Sequence, residues 1–122
     1  MTAEIICVGT EILLGNIVNT NAAYLSERLA ALGISVFFET TVGDNPERVE
    51  EVIRTGMKRS DILILSGGLG PTKDDLTKEI AAKACGQELV EDAEAKERLT
   101  SYFTSIKRPM TENNLKFWNR LF

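Results

Sequence analysis

Ser66-Gly67-Gly68-Leu69-Gly70-Pro71-Thr72-Lys73-Asp74-Asp75-Leu76-Thr77 decides how this chain is read. The run before it, Asp61-Ile62-Leu63-Ile64-Leu65, is a short apolar stretch of the kind that forms a buried strand. Within and beyond it, Leu76, Ile80, Ala81 and Ala84 make an apolar stripe at helical spacing. The glycines therefore fall on a strand-to-helix turn at the carboxyl edge of a sheet. A bare backbone there turns sharply and brings N–H groups close to a ligand. The helix that follows points unpaired N–H groups and a partial positive charge the same way, which suits phosphate. Pro71 and Thr72 are expected to fix the helix start, with Asp74 and Asp75 beside the anion site. Carboxylates next to phosphate need a divalent cation between them, and Mg²⁺ takes one or two carboxylates plus phosphate oxygens. The same features also fit an ordinary capped helix, because glycine turns and acidic first turns occur without any ligand.

Working outward, two more strands deliver similar turns. Glu4-Ile5-Ile6-Cys7-Val8 leads to Gly9-Thr10-Glu11, and residues 34–42 lead to Gly43-Asp44-Asn45-Pro46. Thr20 or Asn19 caps a helix striped by Leu25, Leu29 and Leu32, and Gly33 ends it. Asp44 or Asn45 caps the next, with Pro46 in its first turn and Val49, Val52, Ile53 and Met57 on one face. A further helix over residues 91–105 shows Leu99, Tyr102, Phe103 and Ile106. After Pro109, residues 112–122 read as a last amphipathic helix carrying Leu115, Trp118, Leu121 and Phe122. Strand and helix alternate, which predicts an α/β fold of parallel strands with right-handed crossovers. Ligands in such sheets bind beyond the carboxyl ends of the strands. Three turns then converge on one edge, each with a glycine and an acidic residue, although three unrelated helix caps would look the same.

Composition narrows the chemistry. At 122 residues the chain fits one domain, residues 1–122, and 43% hydrophobic with 26% charged content belongs to a globular protein. A net charge of −4 without a basic stripe argues against nucleic acid as a partner. No apolar run reaches the length of a membrane span and the N-terminus lacks a basic leader, so a cytoplasmic location is expected. Cys7 and Cys85 have no Cys or His neighbour at metal spacing and read as buried thiols. The absence of histidine removes histidine bases, Ser-His triads and ordinary zinc sites. What remains is carboxylates, hydroxyls, lysines, backbone N–H groups and a hard cation.

These residues resemble the molybdopterin-binding-like domain, most closely the N-terminal domain of the competence-damage inducible (CinA) family. The resemblance lies in Val8 to Gly15, Asn19-Thr20-Asn21, Val42-Gly43-Asp44, Gly67 to Thr72 with Asp74, Asp75 and Thr77, and later Arg108-Pro109-Met110 and Asn113-Asn114. It implies a three-layer α/β/α sandwich with a mostly parallel sheet and an acidic, metal-using pocket for a nucleotide or pterin. It also implies ADP-ribose pyrophosphatase activity in this domain. The nicotinamide-mononucleotide deamidase domain that many members carry is not in this sequence. In the family the Asn-Asn segment leads into further strands. Here Phe117 to Phe122 follow instead, so the fold is expected to be incomplete at its C-terminus.

The resulting expectation is a metal-dependent domain that cleaves a nucleotide pyrophosphate bond. Gly67, Gly68 and Gly70 would hold phosphates through their N–H groups. Asp44, Asp74 and Asp75 would hold a divalent cation such as Mg²⁺ and form the catalytic set. Thr10 and Glu11 would orient ligand or water, and Thr72 would bond a phosphate or cap the helix. The alternatives are a pterin- or nucleotide-binding module without turnover, or a unit serving only self-association. Leu115, Phe117, Trp118, Leu121 and Phe122 motivate an expected homo-oligomer, a dimer being favoured.

Overall fold

A computed structural model describes residues 1–121. Strand β1 (Thr2–Val8) is the middle of a three-stranded sheet, between β2 (Ser35–Val42) and β3 (Ile62–Ser66), and both pairings are parallel. Its residues from Ala3 to Val8 are all buried. A strand covered on both faces reads as a continuous apolar run rather than an alternation, which is why its position is visible in the sequence.

Ala3, Ile5 and Cys7 pack against Ala22 and Leu29 of helix α2 (Thr20–Ala31). Ile6 and Val8, on the opposite face, meet Val49 and Ile53 of α3 (Pro46–Arg59) and Ile80, Ala81 and Ala84 of α4 (Thr77–Ala84). The three expected layers are therefore present, with α2 on one side of the sheet and α3 and α4 on the other. Local chemistry starts these helices where the sequence places them. Asn19 Oδ1 accepts the Ala22 N–H at 3.2 Å, and Asn45 Oδ1 accepts the Arg48 N–H at 3.0 Å with Pro46 opening α3. No helix among the described residues is long and apolar enough to cross a membrane.

Four expectations are corrected. Cys85, read as a buried thiol, is exposed at the end of α4, and only Cys7 is buried. The helix after the glycine loop begins only at Thr77, so Asp74 and Asp75 precede it instead of lying in its first turn. The Asp75 carboxylate bonds back to Thr72, a local turn that competes with helix formation. Gly9 is followed not by a bare turn but by a short helix, α1 (Thr10–Leu13). Residues 112–121 are not an amphipathic helix. They form a 3₁₀ segment, Glu112–Trp118, and then β5 (Asn119–Leu121), antiparallel to β4 (Leu89–Glu91). Strands of three residues are too short to show a period, and their pairing is set by long-range contact. Between them α5 (Ala93–Ser105) is capped by Asp92, whose carboxylate accepts the Ala95 N–H at 2.8 Å. The expected packing of the Trp118, Leu121 and Phe122 side chains lies outside the described residues.

One polar side chain sits in the core. Glu4 of β1 is fully buried and faces α3. Arg59, at the end of α3, donates from Nε at 3.0 Å and Nη2 at 2.7 Å to its two oxygens, and Ser60 Oγ donates at 3.2 Å. The same guanidinium lies 3.5 Å from the centre of the Phe38 ring. Bonding to Arg59 holds the Glu4 carboxyl below its ordinary value of 4.5. A carboxyl that titrates lower when folded stabilises the fold above its unfolded value, and the gain is lost as pH falls through the folded value. Glu4→Gln should therefore cost about 1–3 kcal/mol at neutral pH. That cost should shrink as the pH drops below the ordinary carboxylate range. Urea unfolding at neutral and acid pH checks this; a cost that stays constant on acidification contradicts it.

Candidate functional site

The strand register aligns three carboxyl ends. Val8 pairs with Val42 and Cys7 with Ser66, so the turns that start at Gly9, Gly43 and Gly67 leave the sheet side by side. The Gly9 N–H donates to the Val42 carbonyl at 2.9 Å. Asn21 Nδ2 reaches Ser66 Oγ at 3.3 Å and ties the start of α2 to the end of β3.

Gly67 has φ +90° and crosses directly over the end of β1, where a Cβ would overlap the Val8 carbonyl oxygen. Gly68 has φ +64°, and a Cβ there would overlap Thr77 Oγ1. Both therefore need to be glycine for two reasons, the left-handed backbone and the close approach. What they approach is the chain itself, Val8 and Thr77.

Thr77 is only 2% exposed. Its N–H donates to the Gly68 carbonyl at 3.1 Å, while its Oγ1 is buried without a hydrogen-bond partner among the described residues. Leaving a buried hydroxyl unpaired costs on the order of 1–3 kcal/mol. Thr77 lines a cavity of about 80 Å³, together with Asp44 and Asn45 from the β2–α3 turn and Asp74 from the glycine loop. Val8, Val49 and Ile80 form its apolar floor.

The other expected residues divide around this cavity. Thr10 and Asp44 clasp each other: the Thr10 N–H donates to Asp44 Oδ2 at 3.2 Å, and Thr10 Oγ1 accepts the Asp44 N–H at 3.1 Å. Thr10 thus positions Asp44. Glu11 is exposed and curls back over Gly9, where an added Cβ would lie 2.7 Å from its Oε1. Neither Thr10 nor Glu11 lines the cavity. Asp75 accepts from the Thr72 N–H at 3.1 Å and from Thr72 Oγ1 at 2.6 Å, which holds its carboxyl below the usual range. Gly70 lies under that carboxylate, so a Cβ there would stand 2.6 Å from Asp75 Oδ2. Asp75 borders a second cavity of about 150 Å³ across the loop, which Gly68 and Gly70 line together with Lys78 and Lys116. None of Gly67, Gly68 and Gly70 lines the cavity of Asp44 and Asp74.

Of the three expected metal ligands, then, Asp44 and Asp74 share a cavity and Asp75 closes its own loop. Among the described residues no three His, Cys, Asp or Glu side chains cluster as a metal-binding group. Thr72 does not cap α4, whose N-cap is Leu76. Sequence reasoning missed Thr77 as a site residue, although its place at the junction of loop and apolar stripe was a usable signal. It also missed Lys78 and Lys116. Lys116 reaches Thr72 across 44 positions, and no local pattern announces such a contact.

Residues 4–116 match the family described as "Probable molybdopterin binding domain". A competence-damage inducible protein of Geobacillus sp. strain WCH70 is 57% identical over 116 residues, covering 95% of this chain and 28% of that protein. The chain thus spans little more than a quarter of the length of the curated relatives it matches. Among solved structures, the protein CinA of Thermoplasma acidophilum superposes with a TM-score of 0.89 at 36% identity, over 99% of this chain and 71% of that one. The molybdopterin biosynthesis enzyme MoaB of Thermus thermophilus gives 0.64 at 25% identity, over 67% and 53%. The chain belongs to the CinA branch of the molybdopterin-binding-domain family.

The two glycines give a sharp comparison with Gly33, which has φ +74° but meets nothing within 4 Å of an added Cβ. Gly33→Ala should cost about 1–2 kcal/mol, the price of a left-handed backbone alone. Gly67→Ala should cost more than about 3 kcal/mol, because backbone must also move. Equal unfolding midpoints in urea for the two variants would show that the crossing over Val8 is not tight.

Proposed function

We propose that this sheet edge binds the phosphate portion of a nucleotide or pterin and, with a divalent cation, cleaves a nucleotide pyrophosphate bond. The reading is carried by one observation: Thr77, whose buried hydroxyl has no hydrogen-bond partner among the described residues, lines the same small cavity as Asp44 and Asp74. Two carboxylates are the protein share that Mg²⁺ takes when phosphate oxygens complete its shell. Asp44 and Asp74 would hold that ion, and when bound it would polarise a phosphoryl oxygen and activate water. The Gly67–Gly70 backbone N–H groups would bond phosphate, and Thr77 Oγ1 would donate to the ligand. Thr10 orients Asp44, Glu11 lies over Gly9 and does not line the cavity, and Asp75 with Thr72 shapes the loop. The kinship with a molybdopterin biosynthesis enzyme supports pterin as the alternative ligand class.

The second reading is a binding module without turnover. It is favoured by the engagement of Asp75 within its own loop, which leaves two carboxylates at the cavity instead of three. Mg²⁺-dependent release of AMP from ADP-ribose supports the first reading. Saturable ADP-ribose binding with no AMP released supports the second. A cytoplasmic location and a homodimer belong to the same proposal. The half-exposed Leu115 and Phe117 motivate the dimer, and a monomer in sedimentation at micromolar concentration would rule it out.

The division of the carboxylates is testable by calorimetry with and without Mg²⁺. Asp74→Asn should weaken ADP-ribose binding roughly tenfold in Mg²⁺ and little in its absence. Asp75→Asn should weaken binding to a similar degree in both conditions, because it loosens the loop. Identical metal dependence in the two variants would contradict this division.

A further inference from the structure

The loop from Gly67 to Leu76 has neither strand nor helix of its own, so its shape depends on what its polar backbone groups bond to. Two of its carbonyls are met from far along the chain. Lys116, in the 3₁₀ segment, sends its ammonium to the carbonyl oxygens of Thr72, at 2.9 Å, and of Asp75. The Glu79 carboxylate lies 3.7 Å from the same nitrogen. In return Lys78, in the first turn of α4, donates to the carbonyls of Lys116 and of Asn119, the latter at 2.9 Å. Lys78 fastens the segment that carries Lys116, and Lys116 fastens the loop that leads into the helix of Lys78.

The segment bearing Lys116 has its own anchorage. Asn114 Oδ1 accepts the Thr111 N–H at 3.0 Å and the Thr111 hydroxyl at 2.9 Å, and β5 pairs with β4. The clasp therefore connects the loop to a held element and not to a loose end. Its two grips, Thr72 and Asp75, bracket Asp74, the loop residue that lines the acidic cavity. Freeing those carbonyls removes one of two ties on the turn that carries Asp74, the other being the bonds between Asp75 and Thr72.

We propose that Lys116 is a positioning residue for the phosphate-binding loop, acting through the Thr72 and Asp75 carbonyls to hold Asp74 at the cavity. This rests on the reading that the edge binds a phosphorylated nucleotide. Amide exchange at residues 70–76, with the β1 amides as reference, and ADP-ribose affinity in Mg²⁺ test it on the full chain. Lys116→Met should speed loop exchange roughly tenfold while leaving β1 unchanged. ADP-ribose affinity should fall roughly tenfold in the same variant. Lys116→Arg, which keeps charge and donors, should stay within about threefold of the unmutated chain in both measurements. If Lys116→Met also loosens β1, the polar Lys116→Gln is read by the same two criteria. Unchanged loop exchange overturns the clasp. Faster exchange with unchanged affinity overturns the positioning role, leaving the lysine a fastener of the tail. If the unmutated chain binds no ADP-ribose, the nucleotide reading fails by itself, and loop exchange in Lys116→Met still decides whether the lysine holds the loop.

Discussion

The passage of Gly67 over the Val8 carbonyl is the constraint on which the candidate site depends. It brings the loop after β3 across the end of the central strand, with no room for a side chain between. Gly68 then lies against Thr77, and its carbonyl takes the Thr77 N–H. Helix α4 can start nowhere earlier, because Asp75 has closed a turn onto Thr72 just ahead of it. The cavity between this loop and the β2–α3 turn follows from that crossing. So do its lining residues: Asp74 arrives from the loop, Asp44 from the neighbouring turn with Thr10 clasped to it, and Thr77 from below.

The two ends of β1 are treated differently. Towards its amino end, Glu4 is buried with both oxygens bonded to Arg59 and one also to Ser60, so a charged group in the core is satisfied on every side. Such a group ties the end of α3 to the central strand, and breaking the pair would strand a charge in the core. At the carboxyl end the buried hydroxyl of Thr77 has no partner among the described residues, and the residue lines a cavity with Asp44 and Asp74. Buried polar groups are ordinarily paired, so an unpaired one beside acidic neighbours is where ligand chemistry is sought. The satisfied end supports the fold and the unsatisfied end carries the proposed function.

The sequence makes part of this legible and hides the rest for physical reasons. The alternation through β1, α2, β2, α3 and β3 rests on local apolar periods and on Asn19, Asn45 and Pro46, whose capping chemistry acts within a few residues. The convergence of Gly9, Gly43 and Gly67 on one edge follows from parallel topology. Asp75 reads in the sequence as a metal ligand, but its bond to Thr72 is a choice between two local structures that composition does not resolve. Glu4 hides inside a run read as apolar, with its partner 55 positions away. Lys116 and the β4–β5 pair depend on contacts across comparable distances, where periodicity carries no information.

The central claim is that the Thr77 hydroxyl is kept for a ligand and not for the fold. Thr77→Val removes the hydroxyl and nearly keeps the shape, so stability and binding can be read separately in one variant. The account predicts unfolding in urea that is unchanged or up to about 1 kcal/mol more stable, since an unpaired buried hydroxyl has been removed. In the same variant, ADP-ribose affinity in Mg²⁺ should fall roughly tenfold. A variant that loses stability while binding ADP-ribose as before would contradict the account.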